Sequence, residues 1–166
     1  MMTLLLIFIF LLSLENLLLP ALIGAETFFI VPLFAVAMIV YGENVRTRLV
    51  QALLFLLIEE YFSGAAIGSF VVPFLLVAGI YIWLNLFLDI GSGLRESSSL
   101  MSILGGIFTL LLLVYLYSAL FIFFRSSYDI LLAWAELKIL VGASILQLSG
   151  WATAFLILFK YMLKKT

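Results

Sequence analysis

Six long apolar blocks run through this chain, divided by short polar or glycine-containing stretches. Runs of that length and apolarity predict membrane-crossing helices. The pattern places them at about 2–19, 28–41, 49–62, 70–88, 100–124 and 139–163. The expected fold is all-α: a polytopic membrane protein with a six-helix bundle, forming one domain over residues 1–166.

Local signals refine each block. Pro20 is expected to stop the first helix. Glu15 and Asn16, in its second half, have two readings: a polar contact or ligand cavity inside the bundle, or a place near the outer headgroups. A short connection with Gly24 and Glu26 leads to the second helix, whose Pro32 lies early enough to be tolerated. Residues Gly42 to Arg48 read as a polar loop, and its two arginines mark the cytoplasmic side.

The third block is the shortest. About 14 residues rise roughly 21 Å, against a hydrocarbon core of about 30 Å. It either continues through Ser63–Gly68 or ends below the surface in a buried turn whose backbone groups need partners. Glu59 and Glu60 close this block, about 100° apart on a helix. That spacing predicts one facing inward and the other reaching toward headgroups. In the fourth block, Asn85 and Asp89 share the cytoplasmic end. Gly91-Ser92-Gly93 follows, with neither the preceding strand nor the lysine of a phosphate loop. Residues 130–138 suggest a short interfacial helix with Trp134 at headgroup depth. Trp151, mid-span in the last block, either packs on another helix, lines a cavity or faces lipid.

Composition then narrows the classes. The chain is 67% hydrophobic and 10% charged, more apolar surface than a soluble domain of 166 residues hides. Cysteine and histidine are both absent, which removes disulfides and the usual zinc, haem and Ser-His-Asp sites. A net charge of −1 offers no field for nucleic acid. The first block lacks a basic leader and a small-residue cleavage site, so it reads as a retained helix rather than a signal peptide. With both termini inside, Arg46, Arg48, Arg95, Lys160, Lys164 and Lys165 fall on the inner side, and Arg125 and Lys138 on the outer. That bias supports a cytoplasmic-membrane protein with cytoplasmic termini. No internal repeat stands out.

The stretch Glu60-Tyr61-Phe62-Ser63-Gly64-Ala65-Ala66-Ile67-Gly68 carries a family resemblance. Acid-x-x-Ser-Gly-x-x-x-Gly between two apolar helices resembles the central motif of the bacterial rod shape-determining protein MreD, in which Asp usually stands at the Glu60 position. The resemblance covers roughly residues 26–88 by pattern and the remainder by helix count. It implies a non-catalytic scaffold of the cell-elongation, peptidoglycan-synthesising complex. Its implied partners are an MreC-like membrane protein, RodA and the associated transpeptidase. The residues carried over are Glu60, Ser63, Gly64 and Gly68, either as a direct contact or as a turn that shapes the bundle. No cofactor or metal is implied.

Two other readings compete with this one. Six helices in this length, one of them short, also resemble the substrate-capturing S components of vitamin transporters. Glu15, Glu26, Glu60 and Trp151 would then line a cavity. The adjacent glutamates resemble the pair in intramembrane CAAX-type proteases. This chain has neither the arginine that follows the pair nor the histidines of that family, so the expectation is that it is not an enzyme.

Overall fold

Ile30 to Val40 are buried on every side, so the helix they form is the axis around which the others pack. In the computed structural model the described residues are 2–23, 30–42, 44–88, 100–125, 150, 151, 153–155 and 157–159. Every regular element among them is helical. In chain order these are α1 (Met2–Ser13), a π-helical turn (Leu14–Leu18), α2 (Leu19–Ile23) and α3 (Ile30–Tyr41). Then follow α4 (Val45–Ser63), α5 (Val71–Leu88) and α6 (Leu100–Arg125).

The packing joins distant parts of the chain through stacked rings. Phe8 of α1 lies on Phe55 of α4, with centroids 4.1 Å apart. Phe34 of α3 meets Phe55 on one side and Phe155 and Phe159 on the other. Phe70, ahead of α5, stacks on Phe121 of α6 at 5.0 Å. Helical spacing decides which residues turn inward. Leu110, Leu113, Val114, Tyr117 and Phe121 of α6 are buried, as are Phe74, Val77, Ala78 and Tyr81 of α5. The opposite faces are equally apolar but exposed, with Val50, Leu54, Leu57 and Ile58 on α4 and Leu75, Leu76, Ile80 and Trp83 on α5.

Among the described residues, two stretches, Thr3–Ala21 and Leu104–Phe124, are long and apolar enough to cross a membrane. Ile30–Tyr41 and Val71–Phe87 are apolar but shorter.

Three expectations need correction. Pro20 does not stop the first helix, which continues to Ile23. The π-helical turn lies immediately before it, with the Leu19 amide bonded five residues back to the Leu14 carbonyl. Widening the helix there relieves the clash that a proline makes with the carbonyl four residues earlier. Next, the polar loop is shorter than expected, because α4 starts at Val45 rather than 49. The Asn44 side chain caps it by accepting from the Thr47 amide, so Arg46 and Arg48 lie on the helix itself. The third correction concerns Glu59 and Glu60, which are both buried. Glu26, Asp89, the 90–99 loop, the 130–138 segment and the first part of the last block lie outside the described residues.

Candidate functional site

The buried face of α4 runs Ala52, Phe55, Leu56, Glu59, Glu60. That stripe is wide enough to hold two adjacent residues, because a core-facing strip on a helix spans 100° or more. Glu59 is 2% exposed and Glu60 3%. They face different neighbours, and their roles separate accordingly.

Glu60 holds the start of α5. One carboxylate oxygen accepts from the amides of Phe70 and Val71, at 2.7 and 2.9 Å. The other accepts from the Gly68 amide at 2.9 Å. The first amides of a helix have no intrahelical acceptor, so a carboxylate there supplies both partners and a favourable charge for the dipole. The other early donors are satisfied by backbone. Val72 donates to the Gly68 carbonyl and Phe74 to that of Phe70, while Pro73 has no amide to satisfy.

The small residues close the turn. Gly64 ends α4 with φ at 66°, and Gly68 has φ at 94°, both in the region that favours glycine. The Glu60 carbonyl accepts from the amides of Gly64 and Ala65 and from the Ser63 hydroxyl. Glu60, Ser63, Gly64 and Gly68 therefore meet in one hydrogen-bonded corner.

A second carboxylate does for α3 what Glu60 does for α5. Glu15, on the π-helical turn and 8% exposed, accepts from the Val31 amide at 2.6 Å. Its neighbour Asn16 donates to both oxygens of Glu59, at 3.0 and 3.1 Å, and ties the first helical stretch to α4. The Tyr117 hydroxyl donates to the Phe70 carbonyl at 3.4 Å. Of the two readings for Glu15 and Asn16, the geometry is that of a polar contact inside the bundle.

Sequence reasoning missed the cap on α3. A signal for it exists: Phe29-Ile30-Val31-Pro32 and Phe70-Val71-Val72-Pro73 are nearly the same tetrapeptide. Ile30-Val31-Pro32 opens α3 and Val71-Val72-Pro73 opens α5, and at each start a glutamate from earlier in the chain accepts from backbone amides.

Of the residues expected to line a cavity, Glu15 and Trp151 are each in contact with other parts of the bundle. Glu15 is engaged with α3, and Trp151 is half-buried, stacked on Phe155 at 5.8 Å. A cleft of about 10 Å³ does lie between α3, α5 and α6. Its walls include Val36, Val40, Phe74, Val77, Tyr81 and Leu113, so it is apolar and has room for about one water. Among the described residues, no group of three or more His, Cys, Asp or Glu is arranged to hold a metal ion. No protein-family model, curated protein or solved structure matches the chain.

Proposed function

We propose that this protein is a multi-pass membrane scaffold of the MreD type, acting without catalysis in the bacterial cell-elongation complex. It spans the cytoplasmic membrane as a six-helix bundle with both termini in the cytoplasm. An exposed helix face binds an MreC-like partner beside the wall-synthesis enzymes RodA and its transpeptidase. The observation that carries this reading is the Glu60 corner. The acid, serine and two glycines that carry the resemblance are engaged with one another and with the start of α5. They shape the bundle and leave the apolar faces of α4 and α5 as the surfaces through which it meets other molecules. A substrate-capturing subunit would instead need several polar groups converging on an open cavity. Glu15 and Glu60 are spent on backbone amides.

Affinity purification from native membranes in mild detergent, with proteins and small molecules identified by mass spectrometry, tests the proposal. Recovery of an MreC-like protein with wall-synthesis enzymes is the expected result. Recovery of an ATPase module with a vitamin-like ligand would replace it with the transport reading.

A further inference from the structure

A turn in water leaves its spare backbone groups to the solvent, whereas a turn in hydrocarbon must satisfy them within the protein. Most of the α4–α5 turn follows the second rule: six of the eight amides from Gly64 to Val71 find an acceptor within the protein. The Glu60 carbonyl takes the Gly64 and Ala65 amides and the Ser63 hydroxyl. The Glu60 carboxylate takes the Gly68, Phe70 and Val71 amides. Ser69 donates to the Ala66 carbonyl, and the Phe70 carbonyl receives the Tyr117 hydroxyl.

The side chains directed outward need no water either. From Tyr61 to Val72 the sequence holds no charged residue. Tyr61, Phe62 and Ile67 project from the corner, with Ile67 94% exposed. Length points the same way. The 19 residues of α4 rise about 28 Å, and exposed Arg46 in its first turn belongs among headgroups at the opposite end. A hydrocarbon core of about 30 Å then extends past Ser63.

We propose that the α4–α5 turn is immersed in the bilayer, with lipid acyl chains rather than water covering Tyr61, Phe62 and Ile67. The inference rests on the membrane reading above and adds a constraint to it. A partner that touches Ser63–Gly68 approaches sideways through the bilayer with a transmembrane segment, not from the aqueous phase.

The chain has no cysteine, so single thiols report one position each. Ile67→Cys is compared in proteoliposomes with Thr47→Cys, at the exposed polar end of α4, and Leu54→Cys, on its exposed apolar face. A charged maleimide present on both sides of the bilayer should label Ile67→Cys at least about tenfold more slowly than Thr47→Cys, because a thiol in hydrocarbon forms little thiolate. A fluorophore attached at position 67 in detergent before reconstitution should be quenched by lipids carrying a nitroxide on the acyl chain. Labelling of Ile67→Cys as fast as Thr47→Cys, with Leu54→Cys still protected, overturns the immersed turn alone. Slow labelling without lipid quenching also overturns it, since protein then covers the site. Fast labelling at Leu54→Cys overturns the membrane reading itself.

Discussion

Replacing Glu60 by leucine keeps most of the side-chain volume and removes the carboxylate on which three amides at the α5 start rely. Three amides lose their partner at once: Gly68, Phe70 and Val71, now held at 2.7 to 2.9 Å. A buried donor left unsatisfied costs about 1–3 kcal/mol. Three of them set an upper range near 9 kcal/mol, but two terms reduce it. The first turn of a helix relaxes or finds water, which is why losing an ordinary N-cap costs only about 1 kcal/mol. Removing a buried carboxylate also removes its own desolvation penalty. A loss of about 3–5 kcal/mol remains, a hundredfold or more in the ratio of folded to unfolded protein. The assay is unfolding by sodium dodecyl sulfate in mixed micelles, followed by circular dichroism. Glu60→Gln keeps one acceptor oxygen but turns an NH₂ group toward a backbone donor, so it should fall between parent and Glu60→Leu. Glu60→Asp is one methylene shorter and should also be intermediate, since it cannot reach both sets of amides. If Glu60→Leu unfolds within about 0.5 kcal/mol of the parent, the range for an ordinary surface change, the corner does not depend on the carboxylate.

Other changes test the neighbouring contacts in the same assay. Gly68→Ala should destabilise by about 1–2 kcal/mol and by more than Gly64→Ala, because φ at 94° lies farther from the left-handed well and the new methyl meets Val72 at 3.4 Å. Asn16→Leu strips both oxygens of Glu59 of their donor and should cost about 2–3 kcal/mol. Adding Glu59→Leu should return part of that loss, and a double-mutant cycle with no coupling would show that the pair contributes nothing. Phe34→Ala should cost about 3–5 kcal/mol, since its ring meets Phe55, Phe155 and Phe159; an unchanged midpoint would place that aromatic junction outside the stability core.

Among the described residues, helices fall on the first five apolar blocks, because apolar blocks and their polar breaks are one-dimensional signals. The breaks were least legible where a helix tolerates what usually ends it. Pro20 reads as a stop, and only the π-helical turn before it, which no residue pattern announces, lets the helix pass. Asn44 reads as loop until it is taken as a cap, which moves the start of α4 back to Val45. For the acids, the angle between Glu59 and Glu60 was right but the conclusion drawn from it was not. Extending the stripe Ala52, Phe55, Leu56 by one more turn lands on both glutamates, so burial of the pair was readable from spacing alone. Their separate partners were not, because contacts between Asn16 and Glu59 or between Glu60 and Phe70 depend on how three helical stretches assemble.

The three buried carboxyls share one physical origin. A helix that starts inside an apolar bundle exposes amides that neither water nor lipid will satisfy. Both α3 and α5 start that way, each with a proline at its third residue that removes one donor. A glutamate earlier in the chain accepts from amides that remain: Glu15 from Val31 of α3, and Glu60 from Phe70 and Val71 at the start of α5. Glu59 then pairs with Asn16 and fastens one cap to the other. Acids at helix ends in so apolar a chain invite a catalytic or ion-carrying reading. Here hydrogen bonding within the bundle engages each of them, and Glu15 and Glu60 hold the starts of α3 and α5. Of the two helices, α3 is buried almost throughout, so the exposed apolar surface belongs to α5 and to α4 beside it.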